Sequence, residues 1–269
     1  MVKIDLHNHL GRNGANPGFD RTIDIAYKRL GPGGIFGICN DGPTDYRYQG
    51  FINQAGGKYE RVIVGDKNEK RAIYVPDKKI TVVGVEEAEP REGSFICIGM
   101  PVNKKICYSE LEDSLKVAED LDTTRIIVHP FFRDGMGAYV SKNPELLHRF
   151  HAWEIYNASA QLGQILPQNS QVPPGANSNA FNFYKDTIEG NYNLGIVSFT
   201  DGHSVNVIGT SYTEIEINPQ IASTSFFNSL REQIQRNKTF YNLNREPAKG
   251  DAFKHASHMI IDKFFKTGA

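Results

Sequence analysis

The chain has 269 residues, 39% hydrophobic and 23% charged, the composition of an ordinary soluble globular protein with enough apolar material for one barrel-sized domain. Lys and Arg number 30 against 31 Asp and Glu, so no overall field draws in nucleic acid or an anionic membrane, and any polyanion would have to be gripped locally. The cysteines Cys39, Cys97 and Cys107 are odd in number, sit in apolar strand-like runs and read as reduced thiols; with no apolar leader and no run long enough for a bilayer, the expectation is a cytoplasmic protein with no membrane partner.

In chain order, Val2-Lys3-Ile4-Asp5-Leu6 alternates apolar and polar as a half-buried strand does, and it runs out into His7-Asn8-His9. Side chains alternate along an extended chain, so His7 and His9 face one side together, a spacing at which two imidazoles can hold one metal ion. Gly11 to Gly18 is a loop, and Asp20 is the expected N-cap of an amphipathic helix with Ile23, Ala26, Tyr27 and Leu30 on one face and a stop at Gly31-Pro32. Gly34 to Cys39 is a short apolar run of the buried parallel kind and ends in Asn40-Asp41. Short strands follow over 61–64, 72–75, 80–85 and 94–98, with a charged hairpin tip at 66–70. The third of them enters Glu86-Glu87-Ala88-Glu89, where the first carboxylate past the apolar run is expected at the rim; that selects Glu86 and leaves Glu87 and Glu89 exposed.

Ser109 with Glu112 has the spacing of a capping box for a helix striped by Leu111, Leu115 and Ala118. Arg125 to Val128 is another buried strand and ends in His129-Pro130, residues 141–150 are expected to be helical, and 152–157 form the next strand. Residues 158–182, rich in Gln, Asn, Ser, Pro and Gly, are expected to be a loop that either covers a site or is a plain surface excursion. A helix over 183–190 precedes the strand Leu194 to Phe199, which ends in Thr200-Asp201-Gly202-His203-Ser204; Asp201 and His203 repeat the two-residue spacing. A polar strand over 210–217 and a helix over 223–236 complete a chain with no internal repeat and no dividing linker, expected to be one domain over 1–269. His148, His151, His255 and His258 follow no strand and read as surface or packing residues.

Apolar strands thus end in metal-capable side chains at His7 with His9, Asp41, Glu86, His129, and Asp201 with His203. A barrel of parallel strands brings such ends to one mouth. Unpaired imidazoles and carboxylates would be costly there in a purely structural protein. Nitrogen and oxygen donors without thiolate suit Mn, Zn or Fe, and their number exceeds what one tetrahedral ion uses, so two or three divalent ions are expected.

Asp-Leu-His-Asn-His at the start, Gly84-Val85-Glu86, His129-Pro130, Glu154-Ile155-Tyr156-Asn157 and Thr200-Asp201-Gly202-His203-Ser204 occur in the order seen in the PHP (polymerase and histidinol phosphatase) superfamily, and the stretch from about 208 to 239 resembles that family's carboxy-terminal segment. The resemblance implies an α/β fold, a distorted TIM-like barrel of seven βα units with a metal cluster at the C-terminal mouth of the strands, and metal-dependent phosphoesterase activity. The substrate would be a small phosphorylated metabolite, a nucleotide or a nucleic-acid end. On this reading His7, His9, Asp41, Glu86, His129, Asp201 and His203 are the metal ligands, Asp201 and His203 also belong to the catalytic set, Arg12 and Arg133 would grip the phosphate, and Glu154 would orient a ligand from behind. The chain departs from the family where Cys39-Asn40-Asp41 replaces Thr-Asp-His, where 11–19 offers no histidine, and where Gly99-Met100 lacks one. Two other readings keep part of this picture: an amidohydrolase-type metal barrel, against which the Asp201 and His203 pair argues, and a non-catalytic barrel that binds RNA or a protein.

Overall fold

The computed structural model describes residues 1–11, 18–162, 175–217, 225–239 and 243–244. The elements, in chain order, are β1 (Val2–Asp5), α1 (Phe19–Leu30), β2 (Ile35–Asp41), α2 (Arg47–Ile52), β3 (Val62–Val64), β4 (Ala72–Val75), β5 (Ile80–Ala88), β6 (Phe95–Ile98), α3 (Leu111–Asp120), β7 (Thr124–Ile127), α4 (Gly137–Val140), β8 (Ala152–Asn157), α5 (Ala158–Leu162), α6 (Ala176–Phe183), β9 (Gly195–Phe199), β10 (Tyr212–Ile215), α7 (Ser225–Arg236) and β11 (Leu243–Asn244).

The strands lie in the order β11-β10-β1-β2-β5-β6-β7-β8-β9, with the β3–β4 hairpin attached to β5, and the sheet curls into a nearly closed barrel. Closure occurs just past β1 and β9, where His9 N–H donates to the Gly202 carbonyl at 2.7 Å and Gly202 N–H donates to the His7 carbonyl at 3.2 Å. Below this bridge β10 pairs antiparallel with β1, and its Thr213 hydroxyl oxygen accepts the Ser198 N–H of β9 at 2.8 Å.

The expected barrel of uniformly parallel strands is only partly realised. β1, β2, β5, β7, β8 and β9 run one way, and β6 is antiparallel to both of its neighbours. A parallel neighbour needs a crossover of a dozen or more residues, whereas β5 and β6 are joined by 89–94 alone. One consequence concerns Gly99-Met100. The N–H groups of both donate to the Gly84 carbonyl, on the side of Val85 away from the mouth, so a histidine at the end of β6 would not reach the mouth at all.

Interior and exterior alternate with the period of two that strands impose. Ile35 and Cys39, Val83 and Val85, Ile96 and Ile98, Ile126 and Val128, Val197 and Phe199 fill the barrel. Their neighbours Phe36, Ile38 and Val82 pack outward against α1 and α2, and Phe95, Ile127, Trp153 and Ile196 pack outward against α3, α4 and the helix after α6. Phe226, Leu230 and Ile234 of α7 join the interior cluster from the end opposite the mouth, where a Cβ on Gly195, the first residue of β9, would fall 1.8 Å from the Ile234 carbonyl oxygen.

Several local expectations are corrected. The first helix begins at Phe19 with Gly18 as its N-cap, and the Asp20 carboxylate instead accepts the Lys58 N–H at 3.0 Å. The Ser109 and Glu112 box does not form: Glu110 is the N-cap of α3, and the Leu111 N–H finds the Glu92 carboxylate across the fold at 3.2 Å. Of the helix expected over 141–150, Pro144–Arg149 is helical, as a 3-10 helix opened by its proline, and the short α4 ends just before the span. The helix expected from 183 starts earlier, at Ala176, and continues as a π turn over Tyr184–Ile188. Cys107 is exposed, while Cys39 and Cys97 are buried.

Candidate metal centre

His7, His9, Glu87, His129 and Asp201 converge at the mouth of the barrel, all buried. His9 Nε2 lies 3.0 Å from His7 Nε2, 3.1 Å from Glu87 Oε2 and 3.4 Å from Asp201 Oδ1. His7 Nε2 is 3.7 Å from both Glu87 Oε2 and Asp201 Oδ1. The other oxygen of Glu87 reaches His129 Nε2 at 3.2 Å, so this one carboxylate touches both sides of the group. His203 is half-buried and stacks on His9 with ring centroids 5.0 Å apart, its Nδ1 lying 3.2 Å from the Asp201 carbonyl oxygen.

The expected rim carboxylate is therefore displaced by one residue. β5 does not stop at Val85 but continues to Ala88, held by β2 on one side and β6 on the other. Glu87 shares the parity of Val83 and Val85 and looks into the barrel, whereas Glu86 looks outward. The Glu86 carboxylate sits 3.3 Å from Lys105 Nζ and accepts the Asn40 side-chain N–H at 3.3 Å; burial pushes it up to about 8, with Lys105 pulling the other way. Glu87, expected to be exposed, is 5% exposed.

His129 follows the inward-facing Val128, so strict alternation would aim it outward. Its backbone is left-handed, with φ of +30°, and Asp201 is left-handed as well at +54°. Non-glycine residues are seldom held there and tend to cluster at functional sites. Glu154 and Asn157 at the end of β8 brace both. Glu154 Oε2 accepts the His129 backbone N–H at 2.5 Å and the Asn157 side-chain N–H at 3.2 Å, and the Asn157 amide also lies 3.4 Å from Asp201 Oδ2.

The electrostatics follow from burial together with these pairings. Burial opposes the charge on His129, but Glu87, Asp134 and Asp201 outweigh it and raise the imidazole to about 10. His9 is likewise raised well above its usual range despite burial, by Asp41, Asp201 and Glu87. Glu87 and Asp201, which burial alone would raise, are held well below the carboxylate range by the surrounding imidazoles. Burial lifts Glu154 to about 7, with His7 and His129 pulling the other way.

His9 Nδ1 is 2.8 Å from Asp41 Oδ1, and Asp41 Oδ2 accepts from Arg47 Nη2 at 2.6 Å. Arg133 is exposed in the loop that follows His129, and Arg12 lies outside the described residues. His148 packs against Tyr192, and His151 Nδ1 accepts the Arg125 N–H at 3.0 Å, both apart from the cluster; His255, His258 and residues 163–174 of the polar 158–182 stretch lie outside the described residues. Cys39, inside the barrel beneath the site, is a neighbour the sequence did not single out; burial pushes its thiol well up.

The donors suit a divalent ion of the Mn, Zn or Fe kind. Three groups, His7 with Glu87 and His129, His9 with Asp41 and Glu87, and His7 with His9 and Cys39, each offer ligand atoms within 4.8 Å of one another. His7 Nδ1 and Glu154 Oε1 are buried and find no hydrogen-bond partner among the described residues, as expected of a site built for something other than internal pairing. Fold and site together define a mixed α/β barrel whose mouth carries a buried cluster of imidazoles and carboxylates able to hold metal.

No protein-family model matches the chain and no curated protein matches it in sequence. Among solved structures it is similar to the lesion-specific endonuclease Q of Pyrococcus furiosus, with a TM-score of 0.52 at 15% identity over 87% of this chain and 56% of that one. Endonuclease Q in complex with a 27-mer duplex substrate bearing an abasic lesion gives a TM-score of 0.52 at 12% identity, covering 87% of this chain and 56% of that one. PsfC of Pseudomonas syringae PB-5123 gives a TM-score of 0.59 at 12% identity over 98% of this chain and 100% of that one. The chain thus spans little more than half of the endonuclease, and at these identities the likeness is one of fold. Among the described residues no helix is long and apolar enough to cross a membrane.

Proposed function

We propose that the protein is a PHP-type metal-dependent phosphoesterase that hydrolyses a phosphomonoester or phosphodiester, with a small phosphorylated metabolite, a nucleotide or a nucleic-acid end as substrate. The observation that carries this reading is the convergence of Glu87 with His7, His9, His129 and Asp201, buried and drawn from separate strand ends. These five residues would hold two or three divalent ions, with Asp41 and His203 beside them. Ions held there would supply Lewis-acid polarisation of a phosphoryl oxygen and acidification of the attacking water.

The chain's own groups have distinct tasks. Glu154 and Asn157 keep His129 and Asp201 in place. His203, the half-buried member, would exchange a proton with the leaving oxygen. Arg133, exposed beyond His129, would bind phosphate oxygens through its planar fork. The likeness to an endonuclease solved with a lesion-bearing duplex supports keeping a nucleic-acid phosphodiester among the substrates, although the near-neutral charge requires the contact to be local.

The test is hydrolysis of a generic phosphomonoester, a phosphodiester and a short oligonucleotide by protein of measured metal content, with and without added Mn or Zn. Metal-dependent release from at least one of them, abolished by a chelator, is the expected result. A metal-loaded protein that cleaves none of the three overturns the reading.

A further inference from the structure

The outer side of His9 is held by a chain of charged groups that starts at Asp41, itself one of the possible ligands, and runs back through Arg47 and Asp45. Asp41 Oδ1 lies 2.8 Å from His9 Nδ1, while His9 Nε2 is the atom that faces His7, Glu87 and Asp201. An ionised carboxylate only accepts hydrogen bonds, so this contact requires the proton on Nδ1 and leaves Nε2 as the nitrogen aimed at the cluster. The second oxygen of Asp41 is taken by Arg47 Nη2 at 2.6 Å. Arg47 is itself fixed: its Nε donates to Asp45 Oδ2 at 2.5 Å and its backbone N–H to Asp45 Oδ1 at 3.0 Å. Asp45 Oδ2 also accepts the Asp41 N–H at 2.7 Å, and the Asp45 carbonyl is gripped by Lys105, which is anchored on Glu86.

We propose that Arg47 is a positioning residue: by pinning Asp41 against His9 Nδ1 it fixes the imidazole so that His9 takes its ion at Nε2, with Asp41 orienting the ring and not ligating. The inference rests on the metal-site part of the function proposed above and is independent of which bond is hydrolysed. It also gives Glu86 a place, as the outer anchor of the brace that ends on His9. Partners of this kind behind a ligating histidine set its tautomer and raise its basicity.

The test uses the full chain labelled with ¹⁵N-histidine and titrated with zinc, read by long-range ¹H–¹⁵N correlation spectra and by competition with a chelating dye. In the wild type His9 should show a protonated, slowly exchanging Nδ1 and a zinc-shifted Nε2. Arg47→Met should lose the protected Nδ1 proton and weaken zinc binding about 10–100-fold, with an unchanged circular dichroism spectrum. If that variant does not fold, Asp45→Asn, which loosens Arg47 without removing it, should show the same loss to a smaller degree. Zinc on His9 Nδ1, or wild-type affinity and an intact Nδ1 signal in a folded Arg47→Met, overturns the proposal. A wild type that binds no zinc overturns both this inference and the metal site. Zinc bound with the expected His9 signature but no phosphoester hydrolysis overturns only the proposed reaction.

Discussion

Asp41 on β2 and Glu87 on β5 are register partners, so their side chains leave neighbouring strands on the same face of the sheet, one strand spacing apart, and both look into the mouth of the barrel. From there Glu87 contacts His7, His9 and His129 directly, while Asp41 meets His9 from behind. Glu86, one residue earlier, leaves the ladder on the opposite face toward Lys105.

This alternation separates two adjacent glutamates by experiment. Glu87→Ala removes a donor from the centre of the cluster and should cost hydrolysis and metal affinity more than about 100-fold, beyond the 10–100-fold typical of residues behind the ligands. Glu86→Ala should keep the metal stoichiometry and lose activity no more than an outer partner does. Metal content and turnover of the two variants decide it, and equal losses would contradict the placement.

Asp5 ties the seam of the barrel. Its two oxygens accept the Thr200 N–H at 3.0 Å and the Gly209 N–H at 2.7 Å, joining β1 to the strand end that carries Asp201. Asp5→Ala strands two buried donors and should destabilise the fold by about 2–6 kcal/mol, at roughly 1–3 kcal/mol for each unsatisfied group. Asp5→Asn keeps one acceptor and should cost less. Urea denaturation midpoints test both, and an unshifted midpoint for Asp5→Ala would refute the role.

Gly195 lets α7 lie against the start of β9. A Cβ there would meet the Ile234 carbonyl oxygen and the Gln235 Cα, backbone atoms that cannot rotate away. Gly195→Ala should lower stability by about 1–3 kcal/mol or more, the usual cost of overpacking, and should loosen the helix that closes the end of the barrel opposite the imidazole and carboxylate cluster. A thermal midpoint equal to wild type would show that α7 is free to shift.

His151 sets a pH dependence away from the cluster. Burial, and then the charges of Arg125 and Arg231, lower it from 6.5 to about 3. The unfolded chain therefore binds a proton that the native state refuses, and stability falls as pH drops from about 6.5 toward 3. Between pH 6.5 and 5 this single group should cost about 1.5 kcal/mol. His151→Asn retains an acceptor for the Arg125 N–H and should flatten that fall; an unchanged pH profile of the unfolding free energy would contradict the assignment.

Much of this was legible in the letters because a strand end is marked twice, by the close of an apolar run and by the polar group that follows. That signal points to His7, His9, His129, Asp201 and Asp41, side chains that the structure brings close together. Glu86 was chosen by the same signal and misplaced, since an apolar run shows where hydrophobic packing ends and not where the ladder ends. Counting by two from Val83 and Val85 would have reached Glu87. The caps expected at Asp20 and Ser109 failed because tertiary partners, Lys58 and Glu92, outcompeted local geometry. Arg47 and Asp45 had no signal at all: nothing in a loop-and-helix start reports that its charges fold back onto a histidine more than thirty residues earlier.

The most direct measurement of the central claim is the position of bound metal, located by anomalous scattering in crystals of protein loaded with Mn or Zn, together with the metal content in solution. Peaks should fall among His7, His9, Glu87, His129 and Asp201, with none at Glu86 and Lys105. Ions found only elsewhere, or a protein that retains no stoichiometric metal, would contradict it.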